Sequence, residues 1–260
     1  MNNPGYLTDA IFHRDHGSVE DKGDYYLIRT PSNPTFYWGN HLLFKSPPAP
    51  GDYEHWRKIH DQEFGTDQKH IAFGWDSSEK GSTEEFESNG FTLDDGIVLQ
   101  QTTEPAPVPQ NKDLNIRKIH SDQDWHAVTE LQITQGCPGV SDADYRDFKT
   151  RQMNNYRASQ SRGLGHWWGA FLGDEIVGDM GLFFSPDGKM GRFQAVETAP
   201  SQRRKGVCTT LLSYLIRKAF QNEGAEELFI VTDLDSVPET IYRSVGFQRL
   251  CPQRGLWNAR

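Results

Sequence analysis

Cysteine is scarce in this chain: Cys137, Cys208 and Cys251 are the only three among 260 residues. An odd, widely spaced set excludes a disulfide framework and has no metal-binding spacing, so reduced thiols and a cytoplasmic setting are expected. Long apolar runs are missing as well. No segment approaches the ~20 apolar residues that cross a bilayer. The first residues, Met1-Asn-Asn-Pro-Gly5, are not a basic region followed by an apolar stretch, so no signal peptide is expected. Net positive charge is also absent. Lys and Arg number 27 against 36 Asp and Glu, and the resulting charge of -9 makes nucleic acid an unexpected partner, since phosphate backbones need a basic face.

What is present suffices for one large or two small cores: 35% of residues are hydrophobic and 12% aromatic. Between Leu99 and Leu114 the composition shifts. Residues 100–113 hold three prolines and almost no apolar periodicity, which reads as an extended linker between a domain over 1–99 and another over 114–260. In the first part, 37–44 reads as a strand, 52–64 as a helix and 70–75 as a strand, with a short helix leading into Phe86-Glu-Ser-Asn-Gly-Phe91. In the second, 114–119 reads as a strand and Ser121 caps a helix running to about residue 135. Gly136-Cys-Pro-Gly139 breaks that helix, and 142–160 is a second one. Three antiparallel strands over 167–172, 175–184 and 189–198 follow, turned by Gly173-Asp174 and Pro186-Asp-Gly188.

The chemistry concentrates in residues 194–220. Phe193, Ala195 and Val196 favour a strand and Pro200 ends it. From Leu211 onward, Leu211, Leu212, Leu215, Ile216 and Ala219 recur at helical spacing. Arg203-Arg204-Lys205-Gly206-Val207-Cys208 therefore lies where a helix begins. Unbonded amides and the positive end of the helix dipole favour a phosphate there, and a capped basic surface turn is the plainer use of the same residues.

This turn resembles the pyrophosphate loop of the GNAT superfamily of N-acetyltransferases, Q/R-x-x-G-x-G/A, with Arg203, Gly206 and Cys208 at its defining positions. Cys208 departs from the usual Gly or Ala. Downstream, Glu226–Asp233 reads as a strand and Ser236-Val-Pro-Glu239 as a capping box. The helix they open delivers Tyr242-Arg-Ser-Val-Gly-Phe247, which resembles the family's Y-x-x-x-G-F. The resemblance covers roughly 114–260. It implies a mixed, largely antiparallel α/β sheet flanked by helices, with acetyl-CoA as co-substrate and no metal. It also implies acetyl transfer to a primary amine of a small molecule or peptide by direct attack in a ternary complex; a catalytically idle acyl-CoA-binding module is the alternative. By resemblance, Val196, Glu197 and Thr198 hold the pantetheine arm, and Arg203, Arg204, Lys205, Gly206, Val207, Cys208 and Thr209 hold the pyrophosphate. Asp235 adjoins the cofactor, and Tyr242 protonates the departing sulfur.

The general base is unassigned, with Glu197 the conspicuous carboxylate. Strand alternation turns Glu197 away from the face of Val196 and Thr198 unless the strand bulges. Asp233, Asp235, water or an already neutral amine are the alternatives. Trp125, Tyr145, Trp167 and Trp168 line an acceptor pocket or pack the core, packing being the commoner use. No membrane partner is expected, and a homodimer is left open.

Phe86–Phe91 and Tyr242–Phe247 share Ser, Gly and Phe at the same spacing, which reads as an internal duplication. The first copy is degenerate: its turn, Ser46-Pro-Pro-Ala-Pro-Gly51, is rich in prolines that have no N–H, and Phe86 stands where the second copy has Tyr242. A tandem layout of this kind is similar to that of mycothiol synthase in the same superfamily.

Overall fold

The computed structural model describes residues 1–137 and 140–259; Pro138 and Gly139, the end of the expected helix break, lie outside them. The described residues divide into two compact units, one within 1–98, 231–234 and 250–259, the other within 99–230 and 235–249. The division departs from the expected 1–99 and 114–260 at the C-terminus, because the last strand is counted with the first unit.

In the first unit, α1 (Pro4–His16) precedes the hairpin of β1 (Ser18–Asp21) and β2 (Tyr25–Arg29). β3 (His41–Phe44) pairs antiparallel with β2 and parallel with β4 (His70–Trp75), and α2 (Asp52–Phe64) makes the crossover between them. The expected strand over 37–44 is shorter than its sequence suggested. Tyr37–Gly39 forms a 3-10 turn, stapled by the Asn40 side-chain amide donating to the carbonyls of Asn33 and Phe36. α3 (Glu84–Ser88) leads into β5 (Thr92–Gln101), which takes the first two residues of the expected linker. The final strand, β11 (Gln248–Ala259), pairs antiparallel with β4. Aromatic rings fill the core of this unit: Phe44 stacks on Trp56 with centroids 3.8 Å apart, and Phe86 is packed among Tyr53, Trp56, Phe73 and Phe91.

The second unit lays out β6 (Asn115–Lys118), β7 (Gly165–Leu172), β8 (Glu175–Phe184) and β9 (Met190–Thr198) as an antiparallel meander. β10 (Glu227–Asp233) pairs parallel with β9 through the crossover helix α6 (Val207–Lys218), which runs on into a π turn over Ala219–Glu223. α4 (Asp122–Ile133) starts on a capping box in which Ser121 and Asp124 satisfy each other's backbone amides. α5 (Asp142–Ser161) follows, and α7 (Val237–Ser244) starts at Ser236, whose side chain accepts from the Glu239 amide. β3–α2–β4–α3–β5 and β9–α6–β10–α7–β11 thus run through the same element order, each with a parallel strand pair bridged by its helix.

The remaining linker is not free. The Ala106 amide donates to the Val245 carbonyl over 2.9 Å, and Asn111 is bonded at two points described below.

Candidate active site

β9 does not stay regular to its end. Its register against β8 slips between Asp179 and Gly181, which pair with Glu197 and Gln194. Ala195 and Val196 thus oppose a single residue, and Ala195 takes φ 47°, a left-handed conformation that a residue with a Cβ rarely adopts. This bulge is the condition under which simple alternation no longer fixes where Glu197 points.

Beyond Pro200 the chain forms a 3-10 turn and then two left-handed positions, Arg204 at φ 62° and Gly206 at φ 75°. Gly206 is the N-cap of α6, and no side chain caps the first turn that holds Val207, Cys208 and Thr209. A Cβ on Gly206 would find its nearest neighbours 3.8 Å away, so the backbone angle rather than crowding within the chain requires glycine here. The turn's own side chains are lightly tethered. Arg203 donates to Gln135 Oε1 over 2.8 Å and lies 3.6 Å from Glu197, and Lys205 donates to Gln202 over 3.1 Å. Asn111 braces the loop from the linker: its side-chain amide donates to the Lys205 carbonyl, and its backbone amide donates to Thr210 Oγ1, both over 2.9 Å. Open amides, two left-handed residues and exposed cations fit a pyrophosphate.

Glu197 sits half-buried where β9 ends. Burial pushes its carboxyl above the usual range, while the Thr198 amide, 2.8 Å away, and Arg203 oppose that rise. Tyr242 on α7 is buried, and desolvation, with smaller contributions from Cys208 and Glu197, raises its hydroxyl well above the ordinary value. It therefore stays protonated at neutral pH and cannot act as a base there. Burial likewise pushes the Cys208 thiol up to about 12, which leaves no thiolate nucleophile at neutral pH. Asp235, at φ 57°, stands in an ion-pair cluster with Arg249, which also bonds Glu239.

The expected aromatic lining separates into two kinds. Trp125, Trp167 and Trp168 are buried packing residues, and Tyr145 alone is part-exposed, beside Phe148 on α5.

Sequence reading missed a polar cluster under the bulge. The Gln132 side-chain amide donates both to Asp179 Oδ1 over 2.8 Å and to the Ala195 carbonyl over 2.6 Å. Trp167 Nε1 donates to the same Asp179 oxygen over 2.9 Å. Lys149 donates to Gln132 Oε1 over 3.3 Å and to Gln152 Oε1 over 3.0 Å. Burial pushes the Asp179 carboxyl up to about 8 and the Lys149 ammonium down. The only sequence signal was an aspartate within the apolar run of β8.

Among the described residues there is no His, Cys, Asp or Glu cluster able to hold a metal, and no helix is long and apolar enough to cross a membrane. Residues 125–247 match the acetyltransferase (GNAT) family. No curated protein matches the chain. Solved structures share its fold. A functionally unknown conserved protein from Staphylococcus epidermidis ATCC 12228 has a TM-score of 0.73 at 15% identity, covering 95% of each chain. A GCN5-related N-acetyltransferase from Kribbella flavida has a TM-score of 0.68 at 13% identity, over 98% of this chain and 94% of that one. A tandem GNAT protein from the clavulanic acid biosynthesis pathway has a TM-score of 0.52 at 12% identity, over 80% and 68%. The bulged strand, the glycine-capped helix with its basic turn and the buried tyrosine thus all lie within residues 125–247, the stretch that matches the acetyltransferase (GNAT) family.

Proposed function

We propose that the second unit transfers an acetyl group from acetyl-CoA to a primary amine of a small molecule or peptide, by direct attack in a ternary complex. The observation that carries this reading is the start of α6, where uncapped amides follow left-handed Arg204 and Gly206 one loop away from a bulged β9. The Val207, Cys208 and Thr209 amides hold the pyrophosphate, with Arg203, Arg204 and Lys205 adding charge. Val196 to Thr198 run beside the pantetheine arm. When bound, acetyl-CoA supplies an activated thioester. The chain's own residues then move protons: Glu197, poised upward by burial, takes one from the attacking amine, and Tyr242 gives one to the departing sulfur.

The first unit serves a structural role with no cofactor of its own. The N-terminal region of its crossover helix is occupied by acids: Ala49 N donates to Asp52 Oδ2 over 2.8 Å and Gly51 N to Glu85 Oε2 over 3.2 Å. Carboxylates there repel a phosphate, and Phe86 has no hydroxyl to donate. Calorimetry of acetyl-CoA binding tests the reading: one site per chain, lost in a folded Gly206→Val variant, is the expected result. Unchanged affinity in that variant would refute the loop assignment.

A further inference from the structure

Asp179 is fully buried in the middle of β8, yet Oδ2 finds no hydrogen-bond partner, while Oδ1 accepts from both Gln132 and Trp167. A buried carboxylate without a compensating cation in contact is among the costliest groups a core can hold. With both N–H donors on Oδ1 and no donor or cation on Oδ2, little stabilises a negative charge there, which favours the neutral acid. Its neighbours from each packed element agree: α4 presents the neutral Gln132, β7 the Trp167 indole, α5 the Lys149 amine and β9 the Glu197 carboxylate. The two charged groups there are of opposite sign, and the Lys149 amine is hydrogen-bonded to two glutamines rather than to Asp179.

The same Gln132 amide that bonds Asp179 also bonds the Ala195 carbonyl, at the one left-handed residue of β9. A residue with a Cβ holds such a conformation only when its surroundings over-determine it. Those surroundings include the β8 pairing on either side of the bulge and the Gln132 side chain, which is held at its nitrogen by Asp179 and at its oxygen by Lys149.

We propose that Asp179 is a positioning residue for the acetyl-transfer site: through Gln132 it clamps the Ala195 carbonyl and so sets the bulge that aims Val196, Glu197 and Thr198. The inference rests on the acetyl-transfer reading, and it makes the clamp a device that works while the acid is neutral. Ionised, Asp179 draws the Lys149 ammonium toward itself, and the lysine leaves Gln132 Oε1.

The test compares the native chain with Asp179→Asn, whose side-chain carbonyl accepts the same two N–H donors, and Asp179→Leu, which accepts neither. Three readouts apply. The Trp167 indole proton resonance should titrate with a midpoint near pH 8 in the native chain, following the Asp179 carboxyl, and should be flat in Asp179→Asn. Amide exchange over 194–198 should be native-like in Asp179→Asn and ~10-fold or more faster in Asp179→Leu, with β10 unchanged in both. Acetyl-CoA affinity should fall ~10- to 100-fold in Asp179→Leu, and should weaken above pH 8 in the native chain but not in Asp179→Asn. Native exchange and affinity in a folded Asp179→Leu would overturn the proposal. So would Asp179→Asn behaving like Asp179→Leu, or an indole titration below pH 5. If the native chain binds no acetyl-CoA, the acetyl-transfer reading fails, and the exchange comparison still decides the clamp.

Discussion

Tyr242 and Asp179 are both buried oxygen acids whose protons are held tightly, and they do different things with them. Tyr242→Phe removes one oxygen and keeps the ring, so acetyl-CoA affinity should hardly change. Turnover should fall by ~10²–10⁴-fold if the hydroxyl protonates the leaving sulfur. The loss should shrink for acyl donors whose thiol departs readily without a proton; an equal loss for every donor would make Tyr242 a positioning group instead. Asp179 bears on stability as well. Its carboxyl ionises near pH 4 in the unfolded chain and only near 8 in the folded one. Its contribution is therefore fully present below pH 4, declines as pH rises, and is gone above 8. Asp179→Asn has no proton to lose, so it should be the more stable protein at pH 8, by ~3–6 kcal/mol on the linkage relation. Urea unfolding between pH 5 and 9 measures this, and a native chain whose stability does not fall over that range would contradict the neutral acid. The place of Tyr242, on a helix opened by Ser236 and within one short motif, was legible in the sequence. The Asp179–Gln132–Lys149 cluster was not, because its members are joined by the packing of α4, α5 and β8 and by no spacing along the chain.

At the scale of elements, α6 and its entry loop carry the binding argument. Gly206→Ala should cost ~1 kcal/mol through its left-handed backbone alone, and Gly206→Val more, since a β-branched residue resists φ 75°. Arg203 is half-exposed and tethered elsewhere, so Arg203→Ala should weaken acetyl-CoA binding by only ~1 kcal/mol. Asn111→Ala removes the side-chain bond to the Lys205 carbonyl and should weaken binding comparably, although Asn111 lies in what reads as a linker. Calorimetry on the four variants ranks them, and an Asn111→Ala affinity equal to native would show that the brace is idle. The amphipathic α2 and the short apolar runs of β4 and β8 were readable, and each falls at its expected residues. α1, β5 and β11 carry contrary signals. In α1, Thr8 and His13 are buried among the apolar residues, which blurs the helical stripe. β5 contains Asp94-Asp95-Gly96, ordinarily a turn, yet a Cβ on Gly96 would come within 3.1 Å of the Gln253 carbonyl, so the glycine serves close backbone approach. β11 contains Pro252 and Gly255, and its continuous pairing with β4 begins only at Gly255.

For the whole molecule, the repeated element order with unequal chemistry predicts one acetyl-CoA per chain rather than two. Where the second copy presents Arg203, Arg204 and Lys205, the first presents Asp52 and Glu85. Removing both carboxylates, as in Asp52→Asn with Glu85→Gln, should still leave a single site by calorimetry, because the prolines of 46–51 have no amides to offer. The claim that ties residue, element and molecule together is acetyl transfer itself. It is tested most directly by following free thiol release from acetyl-CoA across a panel of primary amines and peptides. The account predicts release that requires an amine, yields the acetylated amine in equal amount, and collapses in Tyr242→Phe. Acetyl-CoA bound with no amine accepted across the panel would contradict it and leave a binding module in place of an enzyme.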